Sequence, residues 1–183
     1  MTSTYFSLYV FELGGTETTI GLIQALGSAG YVFSIIIGGR IADLYGRKKL
    51  LGLMTIASGI SRIFSAIAPN WQFLAIAVVI ESLCLAGDPA FWAMLADSIS
   101  ERHRGVAFAF FSFVNSLPWT IMPYLGGILV DLKGVLVAMR WMLLASALLG
   151  IAAGIARLFL LEETLSRPES VGSVAYSRGC LLY

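Results

Sequence analysis

The chain is a series of apolar runs, each long enough to cross a bilayer, joined by turns too short to hold a soluble fold. A membrane-spanning helix needs about 20 predominantly apolar residues. Five segments reach that length, over residues 19–39, 50–68, 71–96, 105–130 and 137–161. Residues 4–13 add a partial span, about half the required length. The connections between the long runs read "DLYGRKK", "APNW", "DSISERHRG" and "DLKG". Loops this short force consecutive helices to run antiparallel. Charge is scarce enough to agree: 13% of residues are charged, against about 25% in an average soluble domain. The mean hydropathy is +0.85. The expected fold is therefore an all-α, polytopic membrane helix bundle over residues 1–161, with the lipid bilayer as its solvent. Residues 162–183, "EETLSRPESVGSVAYSRGCLLY", are polar and aperiodic and read as a cytoplasmic tail or linker.

Several function classes drop out. A net charge of +1 gives no concentrated basic face for nucleic acid. No metal-ligand cluster, nucleophile elbow or phosphate loop is present, so neither an enzyme nor a bound cofactor is expected. The two cysteines, Cys84 in an apolar run and Cys180 in the tail, form no framework. The opening "MTSTYFSLYVFEL" has no basic residue ahead of its apolar stretch and makes a poor signal peptide.

Basic residues set the orientation. Arg40, Arg47, Lys48, Lys49, Arg102, Arg104, Arg157, Arg167 and Arg178 all fall at one end of the bundle, and only Lys133 and Arg140 at the other. The loops at 40–49 and 97–104 and the tail are therefore expected in the cytoplasm, within a multi-pass protein of the cell membrane. A repeat fits this topology. "GGRIADLYG" at 38–46 and "GGILVDLKG" at 126–134 share five of nine residues in register. One copy ends the second span at the inner side and the other ends the fifth span at the outer side. Three-helix units of inverted topology are a common build of secondary transporters.

The charged turn "GGRIADLYGRKK" has its own physical logic. Gly38 and Gly39 allow a helix end to approach a neighbour. Asp43 precedes the third span, where a carboxylate favours the positive end of the helix dipole. Gly46 permits a tight turn. Arg47 can engage a carboxylate bidentately, while Lys48 and Lys49 suit an anionic leaflet. A basic loop that only sets topology would need neither the glycines nor the aspartate. The stretch closely resembles the signature loop of the major facilitator superfamily, G-x-x-x-D-(R/K)-x-G-R-(R/K). Gly39, Asp43, Gly46, Arg47 and Lys48 match, and Leu44 departs from its usual basic residue. A second stretch, "LADSISERHRGVAFAF", resembles the family's segment between helices four and five through Asp97 and Arg104-Gly105. The resemblance implies a charge cluster at the inner face, with Asp97 meeting Arg47, and Asp43 meeting Arg104 or Arg47. "PYLGG", with Pro123, Gly126 and Gly127, resembles the tail of the fifth-helix motif of the family's exporters, although Met122 replaces its central glycine. The fourth-helix motif R-x-x-x-G is absent, because Leu83 stands four residues before Gly87.

Charges at membrane depth cost about 2.5–3.5 kcal/mol each and mark candidate sites. Arg62 lies in the third span; Glu81 and Asp88 lie seven apart on one face of the fourth. In the family, helices one, two, four and five line the cavity, so Glu81 and Asp88 are candidates for a substrate or proton site. The alternative for Glu81 is a pairing with Arg62 that only joins two helices. Pro89 should kink the helix beside Asp88. Asn115 and Trp119 either line the cavity or pack, and packing is the preferred reading. His103 reads as an interfacial residue.

The resemblance covers residues 1 to about 165, the N-terminal six-helix half of that fold, with its first helix incomplete. It implies alternating access, here with small amphipathic molecules exported in exchange for protons or ions. A nutrient-uptake symporter of the same fold and a non-transporting truncated remnant are the alternatives. Because the family's substrate site forms between two halves, a second six-helix half is an expected partner. This polypeptide alone is accordingly expected not to transport. Reconstitution into liposomes under an imposed proton gradient should give no probe flux above that of empty vesicles; flux that is lost in Asp43→Asn would show that the half works by itself.

Overall fold

The structure, a computed structural model, describes residues 3–161, except for the side chains of Ser3, Thr4, Asp43, Tyr45 and Glu101. The expected tail at 162–183 and the Asp43 carboxylate lie outside the described residues. Seven α-helices follow in order: α1 (Ser3–Glu12), α2 (Glu17–Tyr45), α3 (Arg47–Ala66), α4 (Trp71–Cys84), α5 (Asp88–Asp97), α6 (Arg104–Lys133) and α7 (Val135–Leu160). A 3₁₀ turn, Leu85–Gly87, joins α4 to α5, so these two make one crossing. Six antiparallel passes result, and no strand occurs among the described residues. The all-α helix bundle read from the apolar runs is the fold.

Four crossings are long and apolar enough for a bilayer: Glu17–Ala42, Trp71–Asp97, Arg104–Lys133 and Val135–Leu160. The third apolar run, now α3, is not among them. It carries Ser58, Ser61, Arg62 and Ser65, and the three serines are buried. The reason is position: α3 packs along α7 over the most extensive helix–helix contact of the bundle and also meets α4. A helix covered by protein has no need to be apolar all round.

The turns are shorter than the sequence led one to expect. The connection at 40–49 is helical on both sides of one residue, Gly46, whose φ of 96° ends α2 before α3 starts at Arg47. The other copy of the repeat does the same: Gly134, with φ 78°, separates α6 from α7. Both copies therefore close a helical hairpin with a single left-handed glycine, a conformation that costs an L-residue energy. Residues 40–45 stay helical because Ala42 is buried in a small apolar cluster with Leu50 and Ala90. At the opposite end, Thr16 and Thr19 form a capping box for α2, and Asn70 accepts from the Phe73 amide (2.9 Å) to cap α4. A larger core there gathers Tyr9, Val10, Ile23, Leu74, Met139 and Leu143. The Tyr9 hydroxyl donates to the Ser65 carbonyl (3.0 Å) and so ties α1 to the end of α3.

Between these two ends the helices approach through small residues, as membrane helices do. Along α2, a Cβ at Gly38 would overlap the Ala86 carbonyl, one at Gly30 would overlap Ser82, and one at Gly27 would sit 3.2 Å from Val78. Gly39, beside Gly38, has open space. Along α3, a Cβ at Gly59 would lie 2.7 Å from Ile151 and 3.0 Å from the Ala147 carbonyl. Gly154 on α7 meets Ile56 in the same way. Gly59→Leu should therefore force α3 from α7 and cost at least about 1–3 kcal/mol. It should lower the thermal midpoint followed by fluorescence-detected size exclusion, while Gly21→Leu, which points into open space, leaves the midpoint unchanged.

Candidate functional site

At the end of the bundle rich in basic residues, the Gly46 turn delivers Arg47 as the first residue of α3, and Asp97 is the last residue of α5. Arg47 Nη1 donates to Asp97 Oδ2 at 2.6 Å. The side chains are 22% and 50% exposed. A pair this accessible is worth at most about 1 kcal/mol. It is strong enough to bias a conformation and weak enough to be exchanged for water when the end opens. Lys48 follows in the first turn of α3. The partnership expected for Asp43 falls on a side chain outside the described residues. Arg104 begins α6 and forms no ion pair with Asp97; its Nε is buried without a hydrogen-bond partner. His103 lies beside Ser100, with Nδ1 3.1 Å from the hydroxyl.

Deeper in the bundle the charges gather on the side of the fourth crossing that faces α3 and α7. Arg62 on α3 donates from Nε to Glu81 Oε1 on α4 at 2.8 Å, with both side chains about 30% exposed. Ser61, next to it, donates to the Ala77 carbonyl (2.7 Å), so the two helices are held at this level by two polar contacts. Such pairing offsets part of the cost of placing each charge in the membrane. About two turns nearer the basic end, Asp88 opens α5. The apolar run breaks here because Pro89 has no N–H to give the Leu85 carbonyl; the Asp88 amide takes that acceptor in a tighter 3₁₀ bond. The break turns Asp88 toward a cavity of about 280 Å³ walled by α3, the α4–α5 crossing and α7.

Arg157 of α7 lines the same cavity. Its Nη1 donates to the Thr55 hydroxyl at 2.7 Å, and its guanidinium stands 5.6 Å from the centre of the Phe91 ring. Asp88 and Arg157 face one another across the cavity without coming within ion-pair distance. In the sequence, Arg157 reads only as a topogenic residue near the end of a span. The available signal was its place inside the apolar run, ahead of Leu158, Phe159 and Leu160.

The fifth-helix motif has a packing role. The Tyr5 hydroxyl on α1 donates to the Pro123 carbonyl on α6 (2.8 Å). Its ring lies against Gly126 and its hydroxyl against Gly127: an added Cβ would stand 3.0 Å from the ring at the first and 2.8 Å from the hydroxyl at the second. Asn115 and Trp119 on α6 are exposed, as is most of that helix. Its first turns are held instead by aromatic contacts, with Trp92 of α5 stacked on Phe108 (5.8 Å) and Phe91 beside Phe111 (5.3 Å). Of the residues singled out in the sequence, the structure thus brings together Arg47 with Asp97, Arg62 with Glu81, and Pro123 with the two glycines below it.

The family model described as Major Facilitator Superfamily matches residues 1–177. Among individual proteins, the chain is 29% identical to the Na(+), Li(+), K(+)/H(+) antiporter of Planococcus maritimus over 88% of its length and 38% of the relative's. It is 31% identical to a probable 4-methylmuconolactone transporter of Cupriavidus pinatubonensis, over 62% of this chain and 28% of that one. It is 24% identical to the quinolone resistance protein NorA of Staphylococcus aureus, over 85% and 39%. The chain spans well under half the length of the curated relatives it matches. Its apolar crossings make it an integral membrane protein.

Cysteines at 47 and 97, introduced together with Cys84→Ser and Cys180→Ser, should be joined by a short bifunctional thiol reagent. Absence of cross-linking with and without added substrate would show that α3 and α5 do not close on one another.

Proposed function

The chain belongs to the Major Facilitator Superfamily, and on that premise we propose that it forms the N-terminal six-helix part of a secondary transporter that works by alternating access. In this reading the bundle comprises residues 1–161, and 162–183 form a cytoplasmic polar tail or linker. The observation that carries the reading is the Arg47–Asp97 pair. It links the tip of the signature turn to the far end of the fourth crossing, and its half-exposed carboxylate lets the contact break on opening. Rocking motions of packed units make and break interface ion pairs of this kind.

The transported species in this reading is a small molecule moved outward in exchange for protons. A relative named as a cation/proton antiporter supports exchange, and one named as a resistance protein supports outward movement. Asp88 is the carboxylate best placed for the exchanged ion: it faces a cavity, sits beside a broken helix, and lacks an ion-pair partner, whereas Glu81 already has Arg62. A second six-helix unit would close over α6 and the outer face of α2, where Phe33, Ile36, Phe110, Phe113 and Tyr124 are exposed. The basic end, with the turn at 40–49, residues 97–104 and the tail, faces the cytoplasm in the cell membrane, following the positive-inside rule.

In a chain completed by its second half, Asp88→Asn should abolish gradient-driven dye flux in everted membrane vesicles while expression and thermal midpoint are kept. Asp131→Asn, an exposed acid at the far end of α6, should transport normally. Normal flux in Asp88→Asn would remove Asp88 from the coupling path.

A further inference from the structure

The cavity between α3, the α4–α5 crossing and α7 is more than a gap between helices. Its walls carry two opposite charges on different helices, Asp88 and Arg157, that do not touch. Asp88 accepts no hydrogen bond from any described residue, in a protein where Arg62, Glu81, Arg47 and Asp97 are all paired. Arg157 uses one terminal nitrogen on Thr55 and leaves the other donors of its fork open. Leaving a charge unpaired in a low-dielectric setting is expensive, so a site built this way gains from an occupant that meets both groups at once.

The charges decide which occupant. Around the cavity stand Arg62 and Glu81, joined to each other, Asp88 and Arg157, with Cys84 also on the wall. On α2, which meets the 3₁₀ turn through Gly38, the charged positions at this end are Arg40, which is exposed, and Asp43, whose side chain lies outside the described residues. No residue of α6 lines the cavity. With the acids ionised, the four intramembrane groups sum to zero. A bare cation would face two guanidiniums and a bare anion two carboxylates. A zwitterion leaves the sum unchanged and satisfies both free groups, its ammonium on Asp88 and its carboxylate in the Arg157 fork. The volume of about 280 Å³ holds roughly nine water-sized groups. Leu51, Met54, Leu85 and Ala153 supply an apolar wall for an aliphatic tail. A second cavity of about 320 Å³, which shares Leu51 and Arg157 with the first, extends past Met94 to Ser98 beside the Arg47–Asp97 pair. Access thus runs from the basic end of the bundle, with Arg157 standing between the two chambers.

We propose that this cavity is a binding site for a small aliphatic α-amino acid zwitterion, held between Asp88 and Arg157 and reached from the basic end. Binding needs no transport and no second half. Only its consequence, that a solute ammonium and a proton compete for one carboxylate, rests on the exchange reading above.

Cys84 is a reporter already in the wall. In the full chain with Cys180→Ser, in nanodiscs, N-ethylmaleimide should alkylate Cys84, and millimolar L-leucine should slow that reaction several-fold. Isovalerate and isoamylamine, which carry the same tail with one charge each, should not slow it. Measured against each variant's own rate in the absence of solute, Asp88→Asn and Arg157→Gln should each remove the protection, Arg157→Lys should keep part of it, and Asp131→Asn should keep all of it. Equilibrium dialysis with labelled L-leucine should give the same order. No protection by L-leucine, equal protection by the singly charged analogues, or protection that survives in Asp88→Asn would each overturn the site. These outcomes stand whether or not the completed protein moves a dye, so loss of the site and loss of the transport reading are told apart.

Discussion

The close contact between α3 and α7 is the interaction on which the other features of this bundle depend. Gly59 and Gly154 let the two backbones approach to distances that any larger residue would prevent. Lipid tails are as apolar as the helices, so close packing and polar contacts replace the hydrophobic effect as the force that joins them. Once α7 covers one side of α3 and α4 another, α3 can bury three serines and carry Arg62 paired with Glu81. Three of the five buried serines among the described residues lie on this helix, which packs against α7 and α4.

A second consequence follows at the break in the fourth crossing. Pro89 cannot donate, and one 3₁₀ turn interrupts the α-helix at this point. That turn brings the Ala86 carbonyl against Gly38 of α2, at the point where α2 has no side chain. The same turn leaves Asp88 at the head of α5, aimed at the cavity on the opposite side. One backbone irregularity therefore fixes both the packing of α2 and the placing of the intramembrane acid. Irregular backbone inside a membrane is tolerated where protein covers it or a cavity is lined, and both conditions hold here.

The bundle is uneven in what it covers. α3 holds three of the five buried serines among the described residues, while α6 has only Gly126 buried along its whole length. α6 is held at its first turns by stacked aromatics and near its far end by Tyr5 in the notch of Gly126 and Gly127. Such a helix, fixed at two points and bare elsewhere, presents a surface to lipid or to another unit. The superfamily relatives extend well beyond the matched region.

Much of this was legible in the chain itself, because the bilayer imposes a length and a polarity that single residues cannot override. The apolar runs set the number and direction of the crossings. The turn "GGRIADLYGRKK" carries the resemblance to the family, and that resemblance implies the pairing of Arg47 with Asp97 that the structure contains. Other features waited for the tertiary structure. Which of Gly38 and Gly39 meets a neighbour depends on the rotation of α2 about its axis, and sequence spacing does not set that angle. The same holds for the fourth crossing: Glu81 and Asp88 share a face by periodicity, but whether that face looks toward α6 or toward α3 and α7 depends on how whole helices pack. Arg157 shows the limit most clearly. It is a basic residue near the end of an apolar run, indistinguishable in the sequence from one that only sets topology. It becomes the counterpart of Asp88 because α3 and α7 approach closely enough, through Gly59 and Gly154, to bring two charges distant in the chain to the walls of one cavity.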